Sequence, residues 1–185
     1  MGPPRKFSYY RKLSARQKRI YDASDRAALP PIPHPGRFRI PVEGLAAALA
    51  ADDRPVAEEM ARRIVHGLCV VYEVPEVSVR VLAVRPSRRW GELHGLYESA
   101  TGKRPVVTVW MRTAKLKHVV AFRTFLRTIL HEVVHHLDYA FLKLPDSFHT
   151  EGFYRRESSL MKSLEGVLPQ RTPNGEGIIV ARASS

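Results

Sequence analysis

An apolar repeat at residues 119–137 restricts the fold of this chain most strongly, because a histidine motif lies inside it. Apolar side chains recur there at steps of three or four, at Val119, Phe122, Leu126, Ile129, Val133 and Leu137. This periodicity predicts an amphipathic helix that covers the core. The motif is His131-Glu132-Val133-Val134-His135, an H-E-x-x-H segment. Four residues advance a helix by about 400°, so both imidazoles leave one face and can reach one metal ion.

The two histidines predict a zinc site that needs a third protein ligand. Catalytic zinc sites use three protein ligands and keep a further position open for water. The expected third ligand is His149, which follows a predicted turn at 144–147 and stands where the next helix should begin. Glu151, Glu157 and Asp138 remain alternatives, although Asp138 is better placed to orient a histidine by a hydrogen bond.

Glu132 is the expected catalytic base, because it follows the first ligand and points near the metal rather than at it. The surrounding positions are apolar, which predicts a mostly buried segment: Ile129, Leu130, Val133, Val134 and Leu137. His136 lies about 100° from His135 around the helix and is expected to support the structure.

The remaining pattern predicts an α+β fold of N-terminal helices, a few strands and two later helices. Further helices are expected at 14–24, 43–51, 55–72 and 151–166, and strands at 77–84, 93–98 and 106–111. The last two strands predict an antiparallel hairpin. The third helix is expected to bury Val56, Met60, Ile64, Leu68 and Val71.

The length of 185 residues suits one domain with an arm. Residues 1–40 are predicted to form a basic N-terminal arm, which holds +8 of the net charge of +12. A proline-rich run at 29–36 marks the expected boundary to the main domain at 41–168, and residues 169–185 are expected to form a tail. The arm predicts either a surface for nucleic-acid phosphates or a solubilising extension.

The single cysteine, Cys69, excludes an internal disulfide and every multi-cysteine zinc ribbon or iron–sulfur site. Because it falls inside a predicted helix, we expect it to pack in the core. No window holds about 18 consecutive apolar residues, and the first residues lack an apolar leader. The sequence therefore predicts a cytoplasmic protein with no membrane partner.

A second motif, His149-Thr150-Glu151-Gly152-Phe153, opens the helix after the H-E-x-x-H helix. The order of helix, small sheet, H-E-x-x-H helix, short loop and this segment resembles the SprT/Spartan-like zincin metallopeptidases. In that family a histidine at the start of the next helix, commonly followed by glycine and an aromatic residue, completes a three-histidine site. The resemblance covers about residues 55–165, and these two motifs are its specific part.

The resemblance implies a zincin-like fold in which a small antiparallel or mixed sheet packs on the H-E-x-x-H helix. It implies a Zn²⁺ site whose ligands are His131, His135 and His149. By the same likeness Glu132 is the catalytic base, and the strand at 106–110 holds an extended substrate.

The expected activity is the hydrolysis of peptide bonds in intracellular proteins, with a protein or peptide as substrate. Glu132 would take a proton from a metal-activated water and pass it to the leaving amine. The oxyanion needs another donor, and Tyr154, Arg155 or Arg156 in the following helix could supply it. Tyr97 on the hairpin is a weaker candidate.

Two departures limit the resemblance. Family members often carry a C-terminal cysteine zinc ribbon or a binding tail, whereas this chain has neither cysteines for a ribbon nor a basic C-terminus, so DNA–protein crosslink repair does not carry over. A metzincin is excluded, because that extended motif needs glycine and histidine where this chain has Asp138 and Phe141.

A nucleic-acid-binding accessory protein with a structural or vestigial metal site is the main rival hypothesis. A metallopeptidase of a toxin or regulatory system, specific for one partner, is a third.

Overall fold

Five α-helices occur in the computed structural model, which describes residues 6–88, 91–171 and 178–179. The helices are α1 (Ala15–Arg26), α2 (Arg39–Ala50), α3 (Arg54–Val71), α4 (Phe122–Ala140) and α5 (Glu151–Ser163). Short 3₁₀ turns occupy Ser8–Lys12, Pro35–Phe38 and Glu165–Val167. With the strands below, these elements make the chain an α+β protein, as the sequence predicts.

Three helices begin where the sequence supplies a side chain that caps free backbone amides. Ser14 and Gln17 form a reciprocal capping box at the start of α1. Asp53 and Thr150 each accept a hydrogen bond from the backbone N–H three residues further on, at the starts of α3 and α5. The positions predicted for these three helices are therefore confirmed to within a few residues. By contrast, α2 begins at Arg39, before the predicted start at residue 43.

The main sheet has three strands in the order β1–β5–β4. The strands are β1 (Ser78–Val84), β2 (Ser87–Arg88), β3 (Gly91–Glu92), β4 (Gly95–Glu98), β5 (Val106–Arg112), β6 (Gln170–Arg171) and β7 (Ile178–Ile179). β1 and β5 are parallel, whereas β4 and β5 form the predicted antiparallel hairpin, so the sheet is mixed. The pairs β2–β3 and β6–β7 are short and antiparallel.

β1 and β4 are the edge strands of the main sheet, and β5 lies between them. β5 is the central strand and hydrogen-bonds on both sides, so the expectation that residues 106–110 hold an extended substrate is wrong. At the outer edge of β1, Glu58 accepts the Val81 N–H at 2.8 Å and Arg54 donates to the Val81 carbonyl at 3.1 Å. Side chains of α3 thus occupy part of that edge. The other edge strand is β4, which also contacts α4.

α4 packs against β4 and β5 and forms the centre of the core, as its periodicity predicts. Its buried apolar residues are Phe125, Leu126, Ile129, Leu130, Val133, Val134 and Leu137. The helix begins at Phe122 rather than at the predicted Val119. Val119 instead pairs with Arg112 in an isolated β-bridge, and the next N–H donates to a β5 carbonyl, so this backbone continues the sheet.

The buried face of α3 differs from the prediction at its N-terminal end. The buried residues are Ala57, Ala61, Ile64, Val65, Leu68 and Cys69, which confirms the core position of the cysteine. Val56, expected to be buried, is 42% exposed. Alanines at 57 and 61 take the inward face instead, and small side chains there let α2 lie close to α3.

The described part of the basic arm packs on the rest of the protein. Within the proline-rich run, Leu29 and Ile32 are buried in the same hydrophobic core as α3 and α4. The Tyr72 hydroxyl donates to the Pro30 carbonyl at 2.8 Å. Earlier in the arm, α1 lies against α5. This contact places the arm beside the residues that precede α5.

Of the predicted tail at 169–185, residues 170–171 pair with 178–179, whereas 172–177 and 180–185 lie outside the described residues. None of the helices in the described ranges combines the length and apolar character needed to cross a bilayer.

Candidate metal centre

His131 and His135 lie one turn apart in the regular interior of α4 and face the same cleft. The cleft has a volume of about 760 Å³. It is lined by residues of α4, of β4 and its preceding loop, and of the start of α5. The helical repeat therefore sets the first half of the site.

The ring of His149 completes a cluster of three imidazoles. Its Nε2 lies 3.0 Å from Nε2 of His131 and 3.0 Å from Nε2 of His135. His149 immediately precedes Thr150, the residue that caps α5, so the start of this helix fixes where the third ring enters. Ligand atoms of all three residues lie within 4.8 Å of one another. The structure thus brings together the three histidines that the sequence predicts as ligands.

Hydrogen bonds at the far side of two rings turn their Nε2 lone pairs inward. His131 Nδ1 donates to Glu157 Oε2 at 2.9 Å, because an ionised carboxylate can only accept. Ser147 Oγ donates to Asp138 Oδ2 at 2.8 Å, so it accepts from His135 Nδ1 at 2.8 Å. In a neutral ring each of these bonds leaves Nε2 without a proton, so both α4 rings can present an Nε2 lone pair to the cluster.

This donor set fits a zinc ion. Nitrogens bound at 2.0 to 2.1 Å in tetrahedral geometry lie about 3.3 Å from one another. The 3.0 Å separations between the ring nitrogens come close to that value. Three protein ligands beside an open cleft match catalytic zinc sites, whereas structural sites are closed by four.

The protonation of the rings also suits a metal. Burial and the neighbouring His149 lower the pKa of His135 to about 3. Burial and the neighbouring His131 lower the pKa of His149. Both rings are therefore neutral at neutral pH, which is the form that binds a metal.

Glu132 is an acidic residue beside the cluster, in the same cleft. It is 5% exposed and lies on the wall of the cleft. Burial raises its pKa to about 7, against the opposing effects of His131 and of the Tyr97 backbone N–H. A carboxyl group with a pKa near 7 can both accept and return a proton at neutral pH.

Gly95 on β4 lies directly against this carboxylate. A Cβ added at Gly95 would lie 2.8 Å from Glu132 Cγ and 2.9 Å from Cδ, and closer still to Oε1. These distances are shorter than van der Waals contact. The absence of a side chain at this strand position therefore makes room for the carboxylate.

The alternatives to His149 as third ligand take other positions. Glu157 and Asp138 orient the two α4 histidines, the second of them through Ser147, as described above. Glu151 Oε2 lies 3.9 Å from the Arg155 guanidinium. Within the described ranges, the cluster that could hold a metal comprises the three histidines alone.

His136 supports the structure, as predicted. It is 2% exposed. Its Nε2 donates to the Pro75 carbonyl at 2.9 Å, and the Tyr97 hydroxyl donates to its Nδ1 at 3.1 Å. The Tyr97 hydroxyl, which was a candidate oxyanion donor, is therefore already bonded to His136.

Among the other oxyanion candidates, Tyr154 lines the cleft. It is 41% exposed, and its ring centroid lies 6.0 Å from that of His149. Arg156 is 1% exposed and bound inside the protein, and Arg155 donates to the Asp25 carbonyl. Neither arginine lines the cleft, so the expectation that one of them reaches an oxyanion there is wrong.

Sequence reasoning did not assign two residues of the site. Ser147 stands in a predicted turn, and its spacing from His135 carries no recognisable pattern. Gly95 did carry a signal, because a glycine inside a strand pattern often marks close approach of another group.

No family model, curated protein or solved structure matches this chain. What the site can do is therefore inferred from its own residues.

Proposed function

We propose that the protein is a zinc-dependent metallopeptidase that hydrolyses peptide bonds of intracellular, cytoplasmic proteins. The observation that carries this proposal is the convergence of three imidazole nitrogens in a cleft that also contains the buried carboxylate of Glu132. A metal held only by structural ligands needs neither an adjacent base nor an accessible cleft. Both are present here.

The metal would be held by His131, His135 and His149 through their Nε2 atoms. A bound zinc ion supplies Lewis acidity, which polarises a carbonyl group and makes water acidic near neutral pH. Glu157 and the Asp138–Ser147 pair keep the α4 rings in the tautomer that ligation requires.

Glu132 would act as the base that removes a proton from the attacking water and later returns it to the leaving amine. Its raised pKa suits both transfers. Tyr154, at the cleft wall, is the proposed donor to the oxyanion of the substrate carbonyl. The peptide would lie extended along β4, the outer strand beside α4.

The decisive variant is Glu132→Gln, which removes the base and retains its shape. We expect the rate of hydrolysis of fluorescently labelled casein to fall by about 10² to 10⁴-fold. Zinc content, measured by plasma mass spectrometry, should stay at the wild-type level. Glu165→Gln, a change at an exposed glutamate, is the matched control and should retain the wild-type rate. Equal rates for Glu132→Gln and wild type would reject the proposal.

A nucleic-acid-binding accessory protein is the second candidate, because the arm exposes Arg11, Lys12, Arg16 and Arg19. In that case the chain would bind DNA or RNA with an affinity that falls steeply with salt, and casein would stay intact in the presence of zinc. A titration of labelled duplex DNA and single-stranded RNA at two salt concentrations, beside the casein assay, separates the candidates. Cleavage confined to one protein of a proteome digest would favour a toxin or regulatory peptidase.

A further inference from the structure

His149 and the start of α5 are held by the N-terminal segment, defined here as residues 6–27. The Tyr9 hydroxyl donates to the backbone carbonyl of His149 at 2.8 Å. The ring of Phe7 lies edge-on to Tyr154, with 6.0 Å between ring centroids. The third ring of the cluster thus stands in a loop that the N-terminal segment touches directly.

The end of α1 lies close to the first turn of α5, and both side-chain hydrogen bonds and a close backbone approach join them. Asp25 Oδ1 accepts the Gly152 N–H at 2.8 Å, and the hydroxyls of Ser24 and Thr150 lie 3.4 Å apart. A Cβ added at Gly152 would lie 2.7 Å from the Cα of Asp25. Only glycine allows this approach, so the glycine of the second sequence motif serves the contact with α1.

Arg156 connects α1 to the interior of the site. Its guanidinium donates to the Ser24 carbonyl at 2.6 Å and to the Ala27 carbonyl at 3.1 Å, at the C-terminal end of α1. The carbonyls at this end of a helix carry partial negative charge and stabilise a cation. The same guanidinium donates to Asp138 Oδ2 at 3.0 Å, and both side chains are buried.

The chain of hydrogen bonds continues from Asp138 to a ligand. Asp138 accepts from Ser147 at 2.8 Å, and Ser147 accepts from His135 Nδ1 at 2.8 Å. The polar contacts therefore run without a break from the α1 carbonyls through Arg156 to His135. Tyr9 acts at the other side of the cluster, on His149.

We propose that Tyr9 and Arg156 are positioning residues for two of the three histidines, and that the N-terminal segment supports the metal centre through these two side chains. The inference rests on the proposed function only in taking these histidines as ligands. Tyr9 fixes the backbone from which His149 projects. Arg156, held by α1, fixes the Asp138 carboxylate that orients His135 through Ser147. Without the α1 carbonyls, Arg156 would be a buried cation with a carboxylate as its main partner, and the loop would lose its anchor.

The first test compares Tyr9→Phe with Tyr10→Phe in the full-length chain. Each change removes one hydroxyl from the same 3₁₀ turn, but the Tyr10 hydroxyl donates to Asp22 and not to a ligand residue. Competition with a chromophoric chelator measures zinc affinity, and the visible spectrum of the cobalt-loaded protein reports ligand geometry. We expect Tyr9→Phe to weaken zinc binding about three- to tenfold and to shift the cobalt spectrum. Tyr10→Phe should match wild type in both.

The second test is Arg156→Lys, which keeps the charge but cannot contact Asp138 and two carbonyls at once. We expect zinc affinity to fall about 10- to 100-fold. Arg63→Lys, at an exposed ion pair, should leave it unchanged. Thermal unfolding of the metal-free variants checks that they fold, and if Arg156→Lys does not fold, the tyrosine pair alone decides.

Equal zinc affinities and equal cobalt spectra for Tyr9→Phe, Tyr10→Phe and wild type would overturn the inference. A wild-type protein that binds zinc tightly but leaves casein intact would reject the peptidase, and the tyrosine comparison would still decide the inference. A wild-type protein that binds no zinc would overturn both.

Discussion

Gly95→Ala should disable the site while leaving its ligands in place. An added methyl group would lie 2.8 Å from Glu132 Cγ. Carbon atoms in contact prefer at least about 3.5 Å, so one of them must move by ~0.7 Å, and the carboxylate oxygen, which lies nearer, by more. A displacement of about 1 Å in a catalytic group costs roughly 100-fold in rate. That factor equals about 2.7 kcal/mol of transition-state stabilisation.

The assay is the initial rate of casein cleavage at equal zinc content, with kcat/KM then determined on a peptide taken from the cleavage products. We expect kcat/KM for Gly95→Ala to fall by about 10- to 100-fold. Gly166→Ala is the matched control, because a Cβ there meets no atom within 4 Å. If Gly95→Ala cleaves within threefold of wild type while Glu132→Gln does not cleave, the close contact does not hold the base, and the reasoning is refuted.

Three further predictions concern the histidine bonds and the core. Glu157→Gln, which weakens the bond to His131 Nδ1, should lower zinc affinity about 10-fold or more in chelator competition, and an unchanged affinity would contradict its orienting role. Ile129→Ala, at a fully buried position of α4, should lower the free energy of unfolding by about 2 to 5 kcal/mol in urea titrations, and a loss below about 1 kcal/mol would contradict the packing described. Burial lowers the pKa of His135 to about 3 and also lowers that of His136. Below about pH 6.5 the unfolded chain protonates His136 and the native chain does not, so His136 lowers the stability of the metal-free protein as the pH falls from 7 to 5, whereas the raised pKa of Glu132 acts in the opposite direction. The urea midpoint of wild type relative to that of His136→Gln should therefore decrease between pH 7 and pH 5, and a constant difference would contradict the effect of burial on His136.

The local parts of this structure could be predicted because helical geometry acts over short distances along the chain. The spacing of His131 and His135 places both rings on one face whatever surrounds the helix. Ser14 and Thr150 indicate helix starts, because each caps a backbone amide only a few residues further along the chain. The position of His149 just before such a start made it recognisable as a candidate third ligand. These inferences need no knowledge of the tertiary structure.

The parts that could not be predicted depend on contacts between distant segments. The prediction that Val56 is buried was wrong, because the close packing of α2 decides which side of α3 is covered. The central position of β5 depends on its parallel pairing with β1, which no local pattern specifies. Arg156 is buried because its carbonyl partners on Ser24 and Ala27 lie 132 and 129 residues earlier in the chain, which no local pattern reveals.

The contact between Arg156 and Ser24 has a consequence for the timing of biosynthesis. The two residues are separated by 132 positions, so the ribosome makes the first long before the second. At synthesis rates of 5 to 20 residues per second, α1 waits roughly 7 to 26 s for its partner. The contact that we propose to position His135 therefore forms only after Arg156 has been made, and a nascent chain that ends just after the H-E-x-x-H helix still lacks it.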